Sequence, residues 1–271
     1  MKLTKEILPD HFIIASPRNS HYLTETNTFD FVDRNSDILV VTIGDSWTWG
    51  ADLSLDNNDK FRINNVYGSL VSDRMQADWL NLGQRGSNNF FIAEKAEELG
   101  QIVNQLDYKK IYMICTFTEV GRSFNSHHDS YIDYINWFEN NHIDNFLYFL
   151  NATCVDRIKK VTQEHNIKLI IGTNFVDATG IDKDLLLPMP WFRLLGIECR
   201  ILGYAGTTGV ARLQSALEFT NDIVAYKSWI IRLINQSKHI DQVCGSRLLN
   251  SSHPNATGHN LWANYILEHI L

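Results

Sequence analysis

Cysteine is scarce, with only Cys115, Cys154, Cys199 and Cys244 in 271 residues and no C-x-x-C pair among them. So few thiols so far apart exclude a disulfide scaffold, and buried free cysteines in a reducing, cytoplasmic setting are the expectation. Long hydrophobic runs are absent too. The longest apolar segments, such as Ile38–Ile43, are strand-sized, well short of the roughly 20 residues that a membrane-spanning helix needs. The start of the chain, MKLTKEILPDHFIIASP, has no apolar stretch followed by a small-residue cleavage site, so no secretion signal is expected. Four Asn-x-Ser/Thr matches, at Asn151, Asn235, Asn250 and Asn255, would matter only in an exported chain. Clustered cations are also missing. With 24 Lys and Arg against 31 Asp and Glu, the net charge is −7 and no basic run occurs. Nucleic acid, whose phosphates are gripped by grouped Lys and Arg, is not an expected partner.

What is present is an alternation of two periods. Residues 1–36 are polar, carry Pro9 and Pro17, and keep neither period for long, so they read as an N-terminal arm laid on a single domain at 37–271. Asp37–Ile43 is a continuous β-branched run ended by Gly44, the pattern of a parallel strand buried on both faces. Tyr67, Leu70, Val71, Arg74 and Met75 then recur at helical spacing, and Asp78–Leu82 reads as a short strand. A helix over about 89–105, a strand over 110–116, a helix near 147–165 and a strand over 168–172 repeat the alternation. The expected fold is therefore α/β, a three-layer α/β/α sandwich on a parallel sheet with right-handed crossovers. Residues 181–234, with Pro188, Pro190 and the glycines at 203, 206 and 209, read as an insertion or cap, a candidate lid. Residues 257–271 read as a closing amphipathic helix.

In open parallel sheets ligands bind beyond the carboxyl ends of the strands. Two such ends, and a loop near the end of the chain, carry chemistry here. Gly44-Asp45-Ser46-Trp47-Thr48-Trp49-Gly50 sets a small nucleophile, Ser46, on a tight strand-to-helix turn. Asp45 reads as the anchor of that turn, and Gly-Asp-Ser is also ordinary helix-start chemistry. Asn81-Leu-Gly-Gln-Arg-Gly86-Ser-Asn88 brings a glycine whose N–H can approach a ligand unobstructed. Near the end of the chain, His253 lies in Asn250-Ser-Ser-His253-Pro-Asn255, where proline keeps the histidine out of the helix that follows.

In order and spacing, these three blocks resemble the SGNH/GDSL hydrolase family over roughly residues 37–271. The resemblance implies a flavodoxin-like sheet and ester or acyl hydrolysis at a serine, with Ser46 as nucleophile and His253 as general base. It implies an oxyanion hole from the Ser46 and Gly86 amides and a third-block side chain. That third position holds Thr118 where the family has asparagine, with Arg122 as a possible substitute donor. The family aspartate three residues before the histidine is replaced by Asn250. An asparagine oxygen can accept the Nδ1 proton of His253 but supplies no charge. A backbone carbonyl, Asp177 or Asp241 are the other partners weighed for that nitrogen.

Losing one oxyanion donor costs about 10²–10³ in turnover, and an acid-to-amide change beside the catalytic histidine about 10⁴. Trp47, Trp49, Arg122 and Asn88 are the expected substrate contacts, since aromatic faces stack on sugars or acyl groups, with core packing the expectation for at least one of the two tryptophans. The expected activity is a serine esterase acting on a small-molecule or glycan ester, with O-acetyl carbohydrate as the leading substrate. A catalytically weakened binding or structural protein is the rival. No metal or organic cofactor is expected. The one His-rich cluster, His127-His128-Asp129, lacks a spaced third ligand and reads as a solvated helix start.

Overall fold

The computed structural model describes residues 3, 29–53, 58–118, 144–174, 181–194, 249–250 and 253–270. Its main sheet has five strands: β1 (Asp30–Val32), β2 (Ile38–Gly44), β3 (Asp78–Asn81), β4 (Lys110–Phe117) and β5 (Lys168–Thr173). Their spatial order is β1-β3-β2-β4-β5. The four strands expected from sequence run parallel, in the registers Val41 opposite Leu80, Val41 opposite Met113 and Met113 opposite Leu169. The sheet is nonetheless mixed, because β1 pairs antiparallel with β3. That strand comes from the stretch read as an arm, and Leu3 is likewise buried in the core. Three residues are too few to show strand periodicity, and an edge strand is defined by its neighbour.

The helices are α1 (Ser46–Trp49), α2 (Asp59–Asn65), α3 (Tyr67–Arg74), α4 (Asn89–Val103), α5 (Asp144–Glu164), α6 (Trp191–Leu194) and α7 (Ala256–Ile270). A strand buried on both faces must send alternate residues to opposite layers. β2 does so: Leu39, Val41 and Ile43 join one core cluster with residues of α4 and α5, while Val40 joins the other with residues of α3 and α7. The result is a three-layer α/β/α sandwich. β2 is the strand from which the chain turns to β3 on one side and later crosses to β4 on the other, so its carboxyl end lies at the switch point where such sheets open a crevice. A two-residue pair, β6 (Leu249–Asn250) with β7 (His253–Pro254), precedes α7.

The first residues of the stretch read as an insertion belong to the core. Leu185 and Leu187 hydrogen-bond Ile171 along the open edge of β5, and Trp191 is fully buried, stacked on Trp262 at 5.3 Å. Residues 195–234, the rest of the candidate lid, lie outside the described residues.

One buried ion pair ties the sheet edge to the helix that follows β2. Arg62 of α2 donates two hydrogen bonds of 2.7 Å to Asp30 of β1 and one of 2.9 Å to the Trp49 carbonyl. Its guanidinium lies 3.8 Å from the centroid of the Trp49 ring. Asn81 of β3 donates to the same Asp30 carboxylate at 3.1 Å. Breaking a buried pair leaves the other charge unpaired, at a cost of about 3–5 kcal/mol. Arg62→Met should therefore lower unfolding free energy by that amount in urea titrations. The Asp30→Asn, Arg62→Met double variant should lose clearly less than the sum of the singles, and additive losses would refute the coupling.

Candidate active site

α1 is only four residues long, so its position comes from its surroundings. Asp45 caps it: Oδ1 accepts from the Trp47 N–H at 2.9 Å and from Asn174 Nδ2 at 2.7 Å. Gly44 is required by close approach, since a Cβ there would stand 2.0 Å from Thr48 Oγ1 and 3.0 Å from the Thr116 carbonyl. Thr48 lies 3.3 Å from the Tyr67 hydroxyl, which lies 2.8 Å from Thr116 Oγ1 at the end of β4. Burial pushes the Tyr67 phenol far above its usual range, so it stays protonated in this network. At the far end, Gly50 adopts the left-handed conformation and returns its N–H to the Ser46 and Trp47 carbonyls. Ser46 is thus held at the carboxyl end of β2 with 8% of its surface exposed.

His253 meets it from the other end of the chain. Its Nε2 lies 3.1 Å from Ser46 Oγ. β7 and the start of α7 fix its backbone: His253 pairs with Asn250 across the two-strand pair, and the Asn255 side chain accepts from the Gly258 N–H at 3.1 Å to cap α7. At the other ring nitrogen stands a group outside the sequence expectation. Nδ1 is 2.8 Å from Asp52 Oδ2, a residue of the turn after α1 that sequence reasoning did not single out. Asn250 contributes its backbone register; Asp177 and Asp241 lie outside the described residues. Asp52 sits in the left-handed region at φ 57°, a conformation that Asp tolerates better than most residues. That turn preference was legible, but nothing local announces a histidine at the opposite end of the sequence.

The second block is tied to the nucleophile strand through one carbonyl. Gln84 N–H and Ser87 Oγ both donate to the Gly44 oxygen, at 3.0 and 2.9 Å. Between them Gly86 has φ 74° with open space around it, so glycine is needed there for its backbone conformation and not for clearance. Thr118 is buried just past β4, its amide and carbonyl both gripped by the Asn89 side chain at 3.0 Å. That bracing asparagine, next to the expected Asn88, also went unread.

The expected substrate contacts separate. Trp47 is 2% exposed, packed edge-on to Trp191 at 5.1 Å, which makes it a core residue. Trp49 keeps partial exposure, with Arg62 stacked on it. The Asn88 side chain caps α4 by accepting from Phe91 N–H at 3.0 Å. Arg122 and the His127-His128-Asp129 cluster lie outside the described residues. Among the described residues no group of His, Cys, Asp and Glu could hold a metal ion, and no helix is long and apolar enough to cross a membrane.

Behind His253 lies a second histidine. His259 is fully buried, and its Nδ1 accepts from the Tyr67 N–H at 3.2 Å. Burial, and secondarily the charge of His253, push its pKa down to about 3. The native state therefore binds no proton there while an unfolded histidine does so below about pH 6.5. Stability is complete above that pH and should fall by up to about 1.4 kcal/mol per unit on acidification towards pH 3. His259→Asn, which keeps an acceptor for Tyr67, should flatten that slope in urea titrations between about pH 4 and 6; an unchanged slope would show that other groups control acid sensitivity.

No family model matches the chain, and no curated protein matches it either. Solved structures do overlap with it. A member of the lipolytic G-D-S-L family from Veillonella parvula DSM 2008 is 13% identical, covering 85% of this chain and 97% of its own, with a TM-score of 0.40. A family two carbohydrate esterase from Clostridium thermocellum, solved in complex with cellohexaose, is 9% identical over 86% of this chain and 63% of its own, at 0.41. A psychrotrophic esterase from Pseudoalteromonas sp. is 11% identical over 86% and 94%, at 0.36. Overlaps this partial carry no weight for activity; the sheet order and the Ser46–His253 contact stand on this chain's own geometry.

Proposed function

We propose that the chain is a serine acyl hydrolase that cleaves an ester through a Ser46 acyl-enzyme. The observation that carries this reading is the 3.1 Å contact between Ser46 Oγ and His253 Nε2 at the switch point of the sheet. An isolated serine hydroxyl is a poor nucleophile, and a neutral imidazole within hydrogen-bond reach is the group that activates it. As the Oγ–carbonyl carbon bond forms, the hydroxyl proton passes to Nε2 and negative charge develops on the carbonyl oxygen. The Ser46 and Gly86 amides, with Thr118 at the end of β4, are the donors proposed for that oxygen. Collapse breaks the bond to the leaving alcohol, which takes the proton from Nε2. Water, deprotonated by the same nitrogen, then releases the acid and restores Ser46.

An O-acetylated carbohydrate is the first substrate to test. Of the two tryptophans beside the nucleophile, Trp49 is the one with surface left to meet a sugar ring. The rival reading, a binding protein that kept the pocket and lost the chemistry, is separated from this one by the reactivity of Ser46.

A fluorophosphonate probe tests that reactivity without knowledge of the substrate, because serine attacks phosphorus and expels fluoride. Intact mass should show one adduct on the wild type and none on Ser46→Ala. His253→Ala should react at least about 100-fold more slowly, the usual contribution of a positioned base. A folded wild-type protein that takes no adduct would reject the hydrolase reading in favour of the binding protein.

A further inference from the structure

We propose that Asp52 is the positioning acid of this site, holding the imidazole of His253 in the tautomer and orientation that Ser46 needs. The inference rests on the hydrolase reading above and adds to it the group that position 250 does not supply. An ionised carboxylate only accepts hydrogen bonds. Asp52 Oδ2 at 2.8 Å from Nδ1 therefore keeps the imidazole proton on Nδ1, which leaves the lone pair of Nε2 to face Ser46 Oγ at 3.1 Å.

The turn explains how a residue so near the nucleophile reaches the base. Gly50 at φ 83° ends α1, the Ala51 N–H returns to the Ser46 carbonyl at 2.8 Å, and Asp52 at φ 57° folds the chain back beside the helix it has just left. Nucleophile and acid thus share one turn, braced by Asp45, Asn174 and Arg62. Only the histidine is brought from elsewhere. The second oxygen of Asp52 faces Arg85 Nη2 at 3.7 Å, in the residue just before Gly86. A loose, half-exposed pair of that kind contributes about 0–1 kcal/mol. It suffices to bias the rotation of a carboxylate whose other oxygen is already committed, and it places Asp52 between the base and the loop of the proposed oxyanion donor.

Three charged or titratable groups stand around His253 in the arrangement described. Asp52 faces Nδ1, Arg85 stands beyond it, and His259 behind stays neutral because it is fully buried. When Nε2 takes the serine proton, Asp52 is the counter-charge to the imidazolium. An amide at such a position costs about 10⁴ in turnover where it has been tested in serine proteases.

The test compares Asp52→Asn with the wild type in fluorophosphonate labelling, with ¹⁵N-histidine NMR of both proteins. Asp52→Asn is expected to label at least about 100-fold more slowly near neutral pH. Its His253 ring should lose the fixed Nδ1–H tautomer, a change that a side chain merely holding the turn would not produce. In the wild type, NMR should find the His253 proton on Nδ1. A wild-type proton on Nε2, or a variant with wild-type rate and unchanged ring tautomer, overturns the assignment of Asp52 while leaving the hydrolase reading intact. Absence of labelling on the wild type overturns that reading, and the role of Asp52 with it.

Discussion

A helix of four residues cannot hold itself, since it has barely closed its first hydrogen-bonded turn before it ends. Everything proposed for this protein depends on how α1 is held between β2 and the loop after β3. Asp45 accepts from the Trp47 amide, Asn81 and Arg62 reach its last carbonyls, and Thr48 lies against Tyr67 underneath. Net, each such bond is worth about 1 kcal/mol, but a buried partner left unmade costs about 1–3. The strength of the arrangement lies in that asymmetry: displacing α1 would strand several buried groups at once. Ser46 is thereby fixed by groups other than those that face its hydroxyl.

The polar layer at the carboxyl edge has a counterpart in the apolar layers below. Leu39, Val41 and Ile43 on one face of β2 and Val40 on the other contribute purely aliphatic side chains to the two cores. Towards the carboxyl end the residues change character. Thr42 accepts from Trp79 Nε1 and donates to Asn81, and Asn81 reaches Asp30. A connected polar network is tolerable inside a protein when its members satisfy one another, and it then allows fewer alternative packings than aliphatic side chains do. The same strands therefore supply bulk stability at one end and positional order at the other.

The acid beside the histidine illustrates how a site is defined by geometry rather than by sequence order. The block around His253 carries an asparagine where a carboxylate was looked for, and a carboxylate stands at the same imidazole nitrogen from the opposite end of the domain. The shortness of α1 makes this feasible. A longer helix after the nucleophile would carry the chain away from the site, whereas Gly50 ends this one after a single turn and Asp52 is still within reach.

Much of this was legible beforehand. Parallel strands buried on both faces announce themselves as β-branched runs, so β2, β4 and β5 were readable, and α4, α5 and α7 were read to within about three residues at each end, while α3 ends earlier than its spacing suggested. The Gly44–Gly50 turn, the Gly86 loop and the His253 loop were readable as local structure because each needs particular residue types at a strand end or before a helix. β1 was not, since an antiparallel edge strand of three residues has too few positions to show a period. Which of the two tryptophans beside Ser46 packs in the core was not, because an aromatic there reads the same in sequence whether it faces ligand or interior. The pairings of Asp52 with His253 and of Asp30 with Arg62 join positions that no local pattern connects. Sequence alone determined the layers and brought Ser46, Gly86 and His253 forward as candidates, because periodicity and turn preference are local. Only the tertiary structure decided which carboxylate faces the histidine, because that depends on where two distant turns meet at the edge of the sheet.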